Sequence, residues 1–145
     1  MVYLVIWLER YKIGWFEEAS QVGERMFLQL MQGAGGWHFL ALSLAAGVGE
    51  ELFFRGWLQS FLQIQLGMFG DLAPWLAIVL ASMAFGIVHP VTKGYVVLAF
   101  LLGGLLGTAY YLSDNILVPI IAHTVYDFAL MVRMFANARL AERKQ

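Results

Sequence analysis

Cysteine is absent from this 145-residue chain and charge is scarce, with Asp, Glu, Lys and Arg together at 13%. Without cysteine there is no disulfide framework, no thiolate nucleophile and no thiolate metal site. The net charge of −1 offers no basic footprint, so nucleic acid is excluded as a partner. The first residues lack the charged start and small-residue cleavage site of a secretory signal, and their apolar run is too short to span a bilayer. Neither an internal repeat nor a low-complexity segment interrupts the chain. What fills it instead is apolar: 61% of residues are hydrophobic and the mean hydropathy is +0.71. A soluble domain is about half apolar and a quarter charged, so both departures indicate a membrane protein.

A bilayer span takes about 20 mostly apolar residues. Four segments meet that demand: 37–66, 74–89, 95–112 and 115–135. The third carries no charge, whereas the first holds Glu50, Glu51 and Arg55 at its middle. Trp37, Trp75, Tyr95, Tyr110 and Tyr111 recur near the ends of the runs, as aromatic belts do. Ahead of the first span, Trp15, Phe16, Val22, Met26, Phe27 and Leu30 alternate with charges and are followed by the flexible Gly33 to Gly36. That pattern predicts an amphipathic helix lying on the membrane surface. The expected fold is therefore all-α: a polytopic transmembrane bundle of about four spans with an N-terminal interfacial amphipathic helix. Residues 1–36 form the interfacial segment, 37–135 the transmembrane core and 136–145 a basic tail. Arg10, Lys12 and Arg25 precede the first span, and Arg133, Arg139, Arg143 and Lys144 close the last, so the positive-inside rule puts both ends in the cytoplasm. Gly103 and Gly107 make a small-xxx-small pair suited to close helix packing.

An ionisable side chain at mid-membrane costs at least about 2.5–3.5 kcal/mol, so such groups are rare and face the bundle interior. Here there are six in the spans or at their ends: Glu50, Glu51, Arg55, His89, His123 and Asp127. Glu51 and Arg55, four apart, meet on one helix and neutralise each other. Glu50 lies about 100° around that helix, which leaves its carboxylate without the arginine. His123 and Asp127 are also four apart on the fourth segment, and His89 ends the second, just before Pro90. Each set alone reads as a polar clamp between helices, and the lone His38 reads as an interfacial residue. Together they suit water activation, either by a carboxylate with imidazoles as general base or through bound zinc. The second cluster would then stabilise the developing oxyanion.

The run from Glu50 to Gly56, EELFFRG, resembles the E-E-x-x-x-R motif of the CAAX-processing and bacteriocin-processing (CPBP, or Abi) intramembrane protease family. FGIVH at 85–89 is similar to its F-x-x-x-H motif, and HTVYD at 123–127 to its H-x-x-x-N/D motif. The resemblance implies an intramembrane endopeptidase, a (metallo)protease in the bacterial cytoplasmic membrane acting on membrane-associated or lipidated peptides. It assigns Glu50 with His89 to general-base work, His123 with Asp127 to the oxyanion, and Glu51 with Arg55 to support. Where members bind a divalent metal, Glu50, His89, His123 and Asp127 are the candidate ligands and zinc the candidate cofactor. Asp127, standing where the prenyl-processing branch has Asn, favours the metal-bearing form by adding a negative charge that an oxyanion site would otherwise oppose. Members commonly have more helices before the first motif, so the chain resembles a minimal or truncated member. A non-catalytic adaptor or bacteriocin-immunity protein that keeps the motifs as a clamp is the alternative. A transporter is disfavoured by the lack of inverted repeats and broken helices.

Overall fold

A computed structural model describes residues 14–31 and 35–142, and every regular element among them is helical. Helix α1 (Gly14–Leu30) takes up part of the expected amphipathic segment. The rest of that segment, with residues 1–13 and 32–34, lies outside the described residues. Helix α2 (Gly36–Glu51) begins where Gly35 turns the chain, and the Gly35 N–H donates to His38 Nδ1 at 3.0 Å. His38 thus caps a helix start, which satisfies a donor that the helix leaves orphaned. The chain then continues without a break through a π-helical stretch, Leu52–Gln59, into α3 (Ser60–Gln65). A six-residue 3₁₀ turn, Gly67–Leu72, reverses direction at Gly70, whose φ of 55° no branched side chain would tolerate.

Helix α4 (Ala73–Ile87) has Pro74 in its first turn, where the missing N–H costs nothing. Helix α5 (Lys93–Ser113) is capped by Thr92, whose hydroxyl accepts the Tyr95 N–H at 3.1 Å, and ends on Asp114 in the left-handed region. Helix α6 (Leu117–Glu142) runs past residue 135, so the expected basic tail is helical at least to Glu142. Among the described residues, three stretches are long and apolar enough to cross a membrane: Gly67–Ile87, Lys93–Ser113 and Leu117–Leu140. The count differs from four because the helix over 36–65 carries Glu50, Glu51 and Arg55, which spoil its apolarity but not its continuity.

Packing follows small residues. Helix α4 pairs with α5 and α2 with α6, while α1 rests against both α5 and α6. At Gly86 an added Cβ would sit 2.8 Å from the Val96 carbonyl oxygen, and at Gly103 it would meet Ser82 backbone at 3.1 Å. Gly47 faces Thr124 and the Ile120 carbonyl on α6 just as closely. In a membrane, where apolar burial gives helices no reason to associate, such close backbone approach supplies the dispersion contacts. The compact core of Phe54, Phe85 and Ala99 sits directly against the charged cluster. Large apolar side chains such as Leu44, Phe53, Trp57, Leu101 and Leu105 point outward, as lipid-facing residues do.

Candidate active site

Glu51 and Arg55 are 0% and 1% exposed, and Arg55 Nη1 donates to Glu51 Oε1 at 2.7 Å. The i, i+4 spacing makes the pair, and the rest of the bundle completes it. Arg55 Nη2 donates to the Gly103 carbonyl at 3.0 Å, and its guanidinium lies 4.7 Å from the centre of the Phe85 ring. One cation therefore joins three helical segments while keeping its donors occupied, the condition under which burying it is tolerable. The π-helical stretch lies immediately after Glu51 and includes Arg55. Such i→i+5 turns are frequent at functional sites because they re-aim the side chains that follow. The Arg55 carbonyl accepts the Ser60 hydroxyl at 3.1 Å.

Glu51 is not fully used by Arg55. Its Oε1 also accepts the His123 Nδ1–H at 2.7 Å. That bond fixes the imidazole, itself only 4% exposed, with Nε2 turned toward Glu50 Oε2 at 4.0 Å and Asp127 Oδ2 at 3.5 Å. His89 is oriented in the same way. Its Nδ1–H donates to the Phe85 carbonyl at 2.7 Å, which leaves Nε2 3.7 Å from Glu50 Oε2. Both histidines thus turn Nε2 to the same carboxylate. Glu50, 32% exposed, stands apart from Glu51 as the 100° offset predicts. Its Oε2 is nevertheless buried and has no hydrogen-bond partner among the described residues.

The structure thus brings all six predicted residues into one cluster, drawn from the helix over 36–65, the end of α4 and the middle of α6. Glu50, His89, His123 and Asp127 line a cavity of about 100 Å³. On the α5 side its wall is made of Leu98, Ala99 and Leu102 together with Tyr95. A buried carboxylate oxygen without a donor, between two imidazole nitrogens and beside an open space, is the arrangement that can take a proton from water.

A family model described as Type II CAAX prenyl endopeptidase Rce1-like matches residues 32–129. The chain belongs to the Rce1-like family. The matched span contains all three motifs and begins just after α1. Neither a curated protein nor a solved structure matches the chain. The Rce1-like family is a protease family, and this Rce1-like chain is an integral membrane protein.

The four candidate metal ligands have the right donor types, two imidazole Nε2 atoms and two carboxylates. Their placement does not fit. Bonds of about 2.0–2.2 Å hold the donors of a tetrahedral zinc about 3.3–3.6 Å apart. The separations here reach 3.7 Å for His89–Glu50 and 4.0 Å for His123–Glu50. No group of three or more His, Asp or Glu side chains among the described residues is gathered closely enough to hold a metal ion.

Two features escape the motifs. Gln59, buried like Glu51 and Arg55, donates its Nε2–H to the Gly107 carbonyl at 3.1 Å. It extends the Glu51, Arg55 register by four residues, so helical spacing contains the signal. Tyr95 and Tyr126 line the cavity alongside the catalytic candidates. Tyr95 has the look of an interface aromatic in the sequence, and only the packing of α5 against α4 turns it inward.

Proposed function

We propose that this Rce1-like protein is an intramembrane endopeptidase in which Glu50 activates the hydrolytic water. The observation that carries the reading is Glu50 Oε2: buried, without a donor among the described residues, and flanked by His89 and His123 at 3.7 and 4.0 Å. Glu50 takes a proton from a water held in the cavity, and the water oxygen attacks the scissile carbonyl carbon. The tetrahedral oxyanion forms beside His123. Glu50 then passes its proton to the amide nitrogen, the C–N bond breaks, and the acid and amine products leave. His89 Nε2 accepts the second hydrogen of the attacking water and orients it.

The role of Asp127 follows from the bonds around His123. With Glu51 at Nδ1 and Asp127 at Nε2, a cationic imidazolium has an acceptor at each nitrogen. That cation offsets the charge that Asp127 brings to the oxyanion side, so an aspartate there is compatible with hydrolysis without a metal. Substrates are membrane-associated peptides, of the CAAX type that the family description names. The apolar α5 wall suits a lipidated or membrane-embedded chain.

Purified protein in liposomes, with quenched prenylated and unprenylated peptides, tests this. Glu50→Ala and His123→Ala should each lose at least about 100-fold in kcat, the scale of a general base or oxyanion donor, while keeping wild-type helicity. Chelator treatment in the same assay reads metal dependence separately. If wild type cuts no peptide and both variants melt early, the cluster is a clamp and the adaptor reading stands.

A further inference from the structure

The cavity is rich in acceptors and poor in donors, and hydrolysis needs donors. Glu50 and Asp127 as carboxylates only accept. His89 gives its Nδ1–H to the Phe85 carbonyl at 2.7 Å, so a neutral ring shows the cavity a lone pair. His123 is committed to Glu51 on one nitrogen and faces Asp127 on the other. The remaining walls are apolar except for Tyr95 and Tyr126, the two lining residues that bring an O–H group. A scissile carbonyl oxygen that becomes an oxyanion in this space meets one cationic donor on α6. Single donors leave such an anion with most of its lone-pair directions empty.

Tyr95 is the better placed of the two to fill that deficit. It sits on α5, across the cavity from α6, whereas Tyr126 shares the His123 helix and immediately precedes Asp127. Its backbone is fixed by the Thr92 hydroxyl, which accepts the Tyr95 N–H at 3.1 Å in the first turn. Its ring centre lies 6.3 Å from that of His89, on the side where the attacking water is held. A capped helix start fixes the backbone that carries the ring, so only the two side-chain torsions remain to place the phenol beside the cavity it lines. We propose that the Tyr95 hydroxyl donates a hydrogen bond to the scissile carbonyl oxygen, as a second oxyanion donor facing His123 from α5. The proposal rests on the hydrolytic reading above and adds a residue to it.

The test compares wild type, Tyr95→Phe, Glu50→Ala and Tyr111→Phe in the liposome assay, with kcat and KM measured separately. Tyr111, packed on Trp75 near the far end of α5, serves as the hydroxyl-loss control. Tyr95→Phe should lower kcat about 100- to 1,000-fold, the effect of removing one oxyanion donor, with KM within about twofold. Tyr111→Phe should match wild type. A Tyr95→Phe enzyme with wild-type kcat overturns the proposal and, provided Glu50→Ala is inactive, leaves the hydrolytic reading intact. Should Tyr95→Phe melt early, 3,5-difluorotyrosine at position 95 decides, because its phenol is more acidic and fits the same space. The alkaline limb of the kcat profile should then move to lower pH, and an unmoved limb overturns the proposal. A wild type that cuts nothing, or a Glu50→Ala variant as active as wild type, removes the hydrolytic reading and this one with it.

Discussion

The carboxylate of Glu51 holds two partners at once, Arg55 and His123, each at 2.7 Å from the same oxygen. Removing the cation leaves that carboxylate buried with the imidazole alone. Arg55→Met should therefore destabilise the fold by about 3 kcal/mol, the lower end of the cost of breaking a buried ion pair, because the His123 imidazolium still faces the carboxylate. Adding Glu51→Gln to it should recover part of the loss, since the amide needs no counter-ion and can still accept from His123. Equilibrium unfolding in mixed micelles, run on both single variants and the double, reads the coupling. Additive losses would mean that the pair does not act as a unit. The same residues show what could be read in the sequence. The four-residue spacings of Glu51–Arg55 and His123–Asp127 fix neighbours on one helix, and the structure has both pairs close. The bond from His123 to Glu51 joins residues 72 apart in the chain, and no helical period encodes it. It took the docking of α6 on α2 to give Glu51 its second partner.

Between helices, glycine placement decides how near two backbones come. At Gly86 the atom in the way of a Cβ is the Val96 carbonyl oxygen at 2.8 Å, and backbone cannot rotate aside. Gly104 has only the Ser82 hydroxyl at 3.9 Å, an ordinary contact. Gly86→Ala should push α4 from α5 and cost about 1–3 kcal/mol, the range for overpacking, whereas Gly104→Ala should be neutral or slightly stabilising. Thermal melting of the two variants in one detergent checks the contrast; equal melting temperatures would show that the α4–α5 contact yields. In activity, Gly86→Ala should also suffer, because α5 carries Tyr95 and His89 lies just past the end of α4. The sequence points to Gly103 and Gly107 through their four-residue spacing, and both do face neighbours closely. It gives no hint that their carbonyls receive Arg55 and Gln59, since backbone acceptors have no sequence signature. The π-helical stretch is likewise unreadable, because the run from Leu52 to Gln59 has the composition of any apolar helix. Turns were easier: Pro74, Pro90 and Gly70 stand where helices start, stop or reverse.

Across the whole molecule, the cavity sits toward the end of the bundle where α4 finishes and α5 begins. His89 lies two residues beyond α4, Tyr95 is in the first turn of α5, and Asp127 lies ten residues into α6 from Leu117. The opposite end holds the 3₁₀ turn Gly67–Leu72 and Asp114. Lysine and arginine divide unevenly between the two: Lys93 is the first residue of α5 and Arg133 and Arg139 follow Asp127, while the turn at Gly67–Leu72 and the Ser113–Asp114 corner carry none. The positive-inside rule predicts that the cavity end faces the cytoplasm, where a lipidated protein terminus would arrive. The absence of cysteine makes this testable without first stripping the chain of native thiols. Lys93→Cys and Asp114→Cys are both exposed positions at the ends of α5. A membrane-impermeant maleimide should label Lys93→Cys in inverted vesicles and Asp114→Cys in right-side-out vesicles, each several-fold faster than in the other orientation. The reverse pattern would turn the cavity outward and remove cytoplasmic lipidated proteins as substrates. Labelling of both from one side would mean that α5 does not cross the bilayer. That outcome would contradict its 21 uninterrupted apolar-rich residues, a length of about 32 Å at 1.5 Å per residue and so enough for a hydrocarbon core of about 30 Å.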